Sequence, residues 1–428
     1  MKLLPGSKLL PCYVVKSVLH SKCVLLIIDG LGDLPAPELD DKTPLEAACT
    51  PNLDQLAGAG RYGLVDPITP GEIPQTHSGT GMLMGLLPQQ VERLNRGPVE
   101  AAGAGRVLAP GDIALRTNFA SVERRGGELL VTDRRAGRIT TGTDELSALL
   151  RNVDLGDGIR ADLLSTDQHR GVLVLSGPGL DASISDTDPR ESIMPATLEA
   201  CRPLVPEAEL TAAKINLFIN EAHRRLVDHP VNIARARDGK PCASGIITRG
   251  AGAQFGLDNT LQTLGIRAAI VSGCNTVLGV GRIFGFDAIT DPRFTATVDT
   301  DLNAKIAAVG AALQDHDMVF IHVKAPDICS HDRQPLAKRD FLQRLDKALG
   351  PLLDTGSVIA VAADHSTNCN TGFHTADPVP TLIWEPVSGR PAGSVKFGEA
   401  ACGQGTMERQ LSNEFLQKVL HSMGYQPA

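Results

Sequence analysis

Short apolar runs along the chain end in acidic or imidazole side chains, a pattern that predicts buried parallel strands whose carboxyl ends carry chemistry. CVLLIIDG, from Cys23, reads as one such strand ending at Asp29, followed by a glycine- and proline-rich loop. TPLEAACTPNLDQLAGAG carries a helix, with Thr50 as cap and Pro51 in its first turn. From about residue 120 to about 265 the rhythm changes. Arg and Asp become frequent, ELLVTD and GVLVLS read as short strands, and LTAAKINLFINEAHRRLVDH reads as a helix. From Gly265 the strand and helix alternation resumes with IRAAIVSG, MVFIHVKA and SVIAVAAD. This layout predicts an α/β unit, residues 1–120 and 265–428, interrupted by a smaller inserted α+β unit at 121–264. It also brings Asp29 to the same sheet edge as the strand ends near the carboxyl terminus.

Composition narrows the function. A chain of 428 residues exceeds the ~250–300 at which single cores stop growing, so two domains are expected. Aromatic residues make up 4% and the net charge is −8, which excludes a basic, aromatic platform for single-stranded nucleic acid. Nowhere are there ~18 uninterrupted apolar residues, and MKLLPGSKLLPCYVVK is broken by Pro5, Lys8 and Pro11, so neither a membrane span nor a secretory leader is expected. Nine scattered cysteines without CxxC spacing fit a reduced, cytoplasmic protein, with Cys329 and Cys369 read as packing residues. GVGRIFG, from Gly279, lacks dinucleotide-loop spacing, so no organic cofactor is expected. A homo-oligomer is left open.

The chemistry concentrates near the end of the chain. Asp327 and His331 follow one apolar run; Asp364 and His365 end another, with His374 beyond it. A lone Asp and His pair is usually a solvated turn. Two such clusters at successive strand ends predict a site, because α/β proteins bind ligands outside the carboxyl ends of their strands. Mixed carboxylate and imidazole ligands suit Zn²⁺, Mn²⁺ or Mg²⁺, and paired metals commonly clamp a phosphoryl group. In PGEIPQTHSGTGMLMGLLP, the hydroxyls of Thr76, Ser78 and Thr80 crowd the start of an apolar helix. A hydroxyl there, beside a metal, can attack phosphorus while free backbone N–H groups bind phosphate oxygens; the same residues also serve as plain helix caps.

At this point the chain resembles the archaeal-type cofactor-independent phosphoglycerate mutases of the alkaline phosphatase superfamily. The matching blocks are IIDGLGDLP, KTPLEAACTPNLDQLA, RGPVEAAGAG, PGDIALRTNFASV, DRRAGRI, DTDP, TRGAG, DTDLNAK, HVKAPDICSHD, and ADHSTN with HTADPVP, spread over nearly the whole chain. The resemblance implies an alkaline-phosphatase-like three-layer catalytic domain with an inserted cap, and two divalent metals. Asp29, the hydroxyl nucleophile, Asp364 and His365 would hold one metal; Asp327, His331 and His374 the other. The implied reaction interconverts 2- and 3-phosphoglycerate through a phosphorylated hydroxyl. Counting without gaps places Thr76 where the family carries serine, and a shift of two residues selects Ser78. The alternative is a metal-dependent phosphatase or phosphotransferase acting on another small phosphorylated metabolite.

Departures from the family fall on substrate positions. An acid after the nucleophile is His77 and a histidine further on is Thr80; DTDPH reads DTDPR with Arg190; a lysine is replaced by Leu278; HDGD becomes HDRQ, with Arg333. Arg170, Arg190, Arg249 and Arg282, with Asp188, are the candidates for gripping the anionic substrate, since arginine forms paired hydrogen bonds to carboxylate or phosphate. Asp186 is a further candidate for hydroxyl groups, and Lys324 lies where it could balance the charge of the metal ligands.

Overall fold

The structure is a computed structural model that describes residues 20–189, 193–254, 256, 259–386 and 394–425; Arg190 and the amino-terminal segment 1–19, Cys12 included, lie outside the described residues. In chain order, β1 (Cys23–Ile28) and β2 (Arg61–Asp66) come first. β3 (Ile113–Arg125), β4 (Glu128–Asp133), β5 (Val153–Asp154), β6 (Arg160–Ser165), β7 (Arg170–Ser176), β8 (Ala196–Thr197) and β9 (Gly245–Ala253) follow. β10 (Ala268–Val271), β11 (Asp287–Ile289), β12 (Met318–Val323), β13 (Val358–Ala362), β14 (Ser366–Asn368), β15 (Phe373–Thr375), β16 (Val379–Trp384) and β17 (Gln410–Leu411) complete the set.

The first sheet has the order β11-β10-β12-β1-β13-β16-β2-β17 and joins the two ends of the chain. β1 is parallel to both β12 and β13, and every residue of these three strands is buried. Side chains alternate between the faces of a strand, so complete burial requires cover on both faces. Helices supply it. Leu53 and Leu56 of Pro51–Ala59, Ile306 and Val309 of Leu302–Ala312, Phe341 and Leu345 of Pro335–Ala348, and Phe415 and Val419 of Ser412–Ser422 share one hydrophobic cluster with the strands. The chain is thus of the mixed α/β class expected from its apolar runs.

The second sheet, β5-β6-β7-β3-β4-β8 with β9 on β3, is antiparallel throughout. It has its own core, into which Glu209–Leu226 inserts Ile215, Phe218 and Ile219. β3 starts at Ile113, ahead of position 120, because its first half pairs with β7 and β9 and only its second half with β4. GVGRIFG lies in the helix Asn275–Ile283, where a Cβ on Gly279 would stand 1.9 Å from the Val99 carbonyl oxygen. That glycine serves close packing against the helix Arg96–Gly103.

Candidate metal centre and anion pocket

Three neighbouring strands, β12, β1 and β13, deliver the site. In their register Ile28 stands beside Val323, and Ile27 beside Ala362. The residues that follow, Lys324, Asp29 and then Asp364 and His365, therefore emerge at one edge. β12 runs almost directly into the helix Ala325–His331, so Asp327 and His331 lie on a helical turn, not in the loop that strand-end placement suggested. Their spacing of four puts them on one face. β14 and β15 form a hairpin that sets His374 opposite Thr367.

The tautomers of three histidines follow from their partners. His331 Nδ1 lies 2.8 Å from the Gly372 carbonyl oxygen and His374 Nδ1 lies 3.0 Å from that of Pro74. A carbonyl only accepts, so both Nδ1 atoms carry a proton. Thr367 Oγ1 donates to Asp327 Oδ1 at 2.8 Å and therefore accepts from His365 Nδ1 at 2.9 Å. Each Nε2 then turns to the shared centre. His331 Nε2 is 3.3 Å from His374 Nε2 and 3.3 Å from Asp327 Oδ2, and His365 Nε2 is 3.3 Å from both Asp29 Oδ1 and Asp364 Oδ2. Anchoring one ring nitrogen while presenting the other is how proteins prepare histidine ligands.

Ligand atoms of Asp327, His331 and His374 all lie within 4.8 Å of one another, as do those of Asp29, Asp327 and His365. Asp327 is common to both groups, whereas the sequence reading gave it to one. The donor set fits divalent cations on a second observation: Asp364 Oδ2 is buried and has no hydrogen-bond partner. Burial and the nearby Asp29 charge push the Asp364 carboxyl well above the usual range, a cost that a bound cation removes. Burial also raises Asp29 and Asp327, but Lys324 and the histidine contacts overcome it and hold both below the usual range. Burial lowers His365 to about 4, so its imidazole is neutral and able to ligate. At His331 burial is outweighed by the Asp327 hydrogen bond, and the pKa rises.

Around these groups stand Lys324, which the sequence pointed to as a counter-charge, and His322, Lys338 and Asp33, which sequence reasoning passed over. His322 Nε2 donates to Asp29 Oδ2 at 2.8 Å and its Nδ1 faces Ser272 Oγ at 3.2 Å, which fixes the Asp29 carboxylate. Lys324 Nζ lies 2.9 Å from Asp29 and 2.7 Å from Asp327. The fully buried pair of Lys338 and Asp33, 2.7 Å apart, ties the loop after β1 to the hairpin, since Asp33 Oδ1 also accepts from the Cys369 N–H. The signal available for His322 was its polarity inside the apolar run MVFIHVKA. The Cys329 and Cys369 thiols are pushed up by burial to about 11 and about 12, in keeping with packing.

The two candidate hydroxyls differ in their surroundings. Thr76 opens the helix Thr76–Leu83, and its Oγ1 lies 3.1 Å from Lys324 Nζ and 3.4 Å from His365 Nε2. Ser78 Oγ is turned to its own turn, accepting from Gln75 N–H at 3.0 Å and donating to the Gln75 carbonyl at 2.9 Å. Thr80 Oγ1 is buried without a partner.

Beside Thr76, arginines gather on the second sheet. Arg116 of β3 stands directly across from Arg249 of β9, and Arg170 of β7 stands across from Asn118, two residues along the same face. Like charges placed opposite one another on adjacent strands are destabilising. Glu100 offsets part of this: it lies 3.6 Å from Arg116 and 3.3 Å from Arg96, and its pKa falls to about 2 because those arginines outweigh burial. Nε of Arg116 and of Arg170 remains buried without a hydrogen-bond partner. Burial, then Arg96, lowers Arg249 to about 10. His77 lies in the field of Arg96 and Arg116, and burial with those charges lowers it to about 3. Asp188 holds Arg134 through two bonds of 2.7 and 2.6 Å. The structure thus joins Arg170, Arg249 and Asp188 with Arg116, which the sequence reading missed. Arg282 is placed elsewhere: its Nη1 donates to the Ala102 and Gly103 carbonyls at the carboxyl end of Arg96–Gly103, where a cation satisfies unpaired carbonyls.

An Asp and His centre at the carboxyl ends of parallel strands, beside a helix-terminal hydroxyl and a buried arginine group, defines an α/β enzyme with its chemistry at one sheet edge. Comparison with known proteins identifies the kind. The model of the 2,3-bisphosphoglycerate-independent phosphoglycerate mutase family matches residues 57–232. A mutase of that name from Ignicoccus hospitalis is 42% identical over 405 residues, covering 92% of this chain and 96% of the relative. One from Methanopyrus kandleri is 39% identical over 412 residues, covering 95% and 97%. The solved cofactor-independent phosphoglycerate mutase from Thermoplasma acidophilum shares 31% identity with a TM-score of 0.65, covering 94% of this chain and 100% of that one. A solved protein from Pyrococcus horikoshii shares 31% identity with a TM-score of 0.78, covering 95% and 98%. The chain belongs to the cofactor-independent phosphoglycerate mutase family and is an isomerase of that family, as its motifs led one to expect. Among the described residues no helix is long and apolar enough to cross a membrane.

Proposed function

We propose that the protein interconverts 2- and 3-phosphoglycerate through a phosphothreonine at Thr76, with two divalent cations, Mn²⁺, Zn²⁺ or Mg²⁺, held by Asp29, Asp327, His331, Asp364, His365 and His374. The observation that carries this reading is the convergence of three oriented Nε2 atoms and three buried carboxylates around one helix-terminal hydroxyl. Bound divalent cations would lower the pKa of the hydroxyl and neutralise charge on the phosphoryl oxygens.

The chain's own residues do the rest. Thr76 Oγ1 attacks phosphorus in line, the Oγ1–P bond forms, and the ester bond to glycerate breaks. The proton given up by Thr76 ends on the freed glycerate hydroxyl. Glycerate then reorients, the other hydroxyl takes back the phosphoryl group, and Thr76 recovers its proton. Arg116, Arg170 and Arg249 hold the anionic substrate, supported by the unsatisfied Nε atoms of Arg116 and Arg170 and by the placing of Arg249 across from Arg116; Asp188 positions Arg134 and Arg249 beside them. The second sheet, which carries these arginines, excludes water, which retains the phosphoenzyme for return transfer. Arg138 Nη2 on that side already meets Asp332 Oδ1 at 2.9 Å, one residue past His331. Free cysteines support a reducing, cytoplasmic setting.

Peptide mapping after brief reaction with 3-phosphoglycerate tests the nucleophile. Label is expected on Thr76, and Thr76→Ala should abolish it while Ser78→Ala keeps it. Label on Ser78 would reverse the assignment.

A further inference from the structure

Lys324 follows the last residue of β12 and caps the helix that bears Asp327 and His331. Its ammonium sits 2.9 Å from each oxygen of Asp29, 2.7 Å from Asp327 Oδ2 and 3.1 Å from Thr76 Oγ1. An ammonium has three protons to donate. Here three partners, on three separate segments, take them. The oxygens it claims are those of Asp29 and Asp327, the carboxylates that also belong to the candidate metal groups. A cation entering the site and the Lys324 ammonium therefore seek the same acceptors, and they repel each other at close range. The third bond, to Thr76 Oγ1, involves no carboxylate.

We propose that Lys324 is a tethered counter-ion: it holds Asp29, Asp327 and Thr76 together in the metal-free protein, competes with divalent cations for the two carboxylates, and on metal binding keeps its hold on Thr76 as a positioning residue. The charges agree. With all three carboxylates ionised, the form that binds metal, they and one ammonium sum to two charges negative; two divalent cations turn the cluster two positive, and a phosphate dianion brings it to neutrality. Lys324 thereby couples loading to substrate, because the loaded site without an anion carries surplus positive charge. Orientation of the Thr76 hydroxyl is inherited from the metal-free protein and needs no rearrangement of the helix.

This inference rests on the metal-dependent reading above, and the test separates the two. Full-length wild type, Lys324→Met and Lys324→Gln are purified with Mn²⁺, which replaces the missing charge, then stripped with a chelator. Mn²⁺ binding is measured by calorimetry, melting with and without Mn²⁺ by circular dichroism, and Thr76 phosphorylation at saturating Mn²⁺ by rapid quench. Both neutral variants should melt lower than wild type when stripped and recover with Mn²⁺. They should bind Mn²⁺ on the order of tenfold more tightly, as expected when a neighbouring cation is removed, yet phosphorylate Thr76 more slowly. Lys324→Arg should restore the weaker, wild-type affinity. A merely structural lysine predicts the opposite affinity change, because loosening the carboxylates weakens binding. Unchanged or weaker Mn²⁺ binding in both neutral variants overturns the inference, while a wild type that binds no Mn²⁺ overturns the metal reading beneath it.

Discussion

Arg116 and Arg249 face each other across two strands, and Glu100 and Asp188 offset only part of their charge, an arrangement that costs stability unless an anion joins them. Replacing one of them should therefore separate binding from folding. Arg116→Met is expected to raise KM for phosphoglycerate by roughly 10–100-fold, the worth of one or two charge-assisted hydrogen bonds, without lowering the melting temperature. A parallel fall in both would show that the arginine is structural. Single residues also mark where the sequence was and was not legible. Asp29, Asp364 and His365 announce themselves by ending apolar runs, and the structure brings them together. Thr76 and Ser78 share one helical turn, so their different partners depend on tertiary placement against Lys324 and His365. Arg116 is hidden inside IALRTNFASV, where the strand pattern says only that its side of the sheet is buried. Arg282 reads like any other arginine, and only the packing of two helices shows that it satisfies carbonyl groups.

At the scale of elements, the helix Thr76–Leu83 is pressed against the loop after β13. A Cβ on Gly79 would stand 1.8 Å from the Asp364 carbonyl oxygen, well inside contact distance, so only glycine lets the hydroxyl and the ligand loop approach this closely. Gly79→Ala should push the helix away and carry Thr76 off His365. The expected result is a drop of at least about 10²-fold in kcat, the scale set by ångström-level misplacement, with the far-ultraviolet circular dichroism of wild type. Retained kcat would mean that the spacing does not matter. Glycines in the helix were visible in the sequence as an oddity, since glycine costs about 1 kcal/mol in a helix interior. What they approach could not be read there, because β13 lies almost 300 residues away in the chain.

Over the whole molecule, buried ion pairs and carboxylates bind the two ends of the chain around the site. Glu399 accepts from Thr43 Oγ1 at 2.6 Å and from the Asp33 N–H at 3.2 Å, and burial raises its pKa to about 7. A folded-state pKa raised above the unfolded value gives stability that is full below the unfolded pKa and lost as pH climbs through the folded one. Between about pH 4.5 and 7 the loss at this residue begins, and by pH 8 it reaches roughly 3 kcal/mol. Glu399→Gln should remove that contribution, so urea melts of the variant at pH 5 and pH 8 should differ less than those of wild type by about this amount. An identical pH dependence would show that the carboxyl titrates normally. The change of rhythm near residue 120 and its return near 265 were readable, since apolar period and composition both switch there. The meeting of the arginine face with the Asp and His edge was not, because it depends on how the second sheet folds over the first. That meeting makes phosphoryl transfer and return, in place of hydrolysis, the expected outcome. Incubation of the Mn²⁺-loaded protein with 3-phosphoglycerate, followed by phosphorus NMR, tests it most directly: the 2-phospho isomer should accumulate to equilibrium with negligible inorganic phosphate, whereas release of inorganic phosphate without that isomer, or no reaction at all, would contradict it.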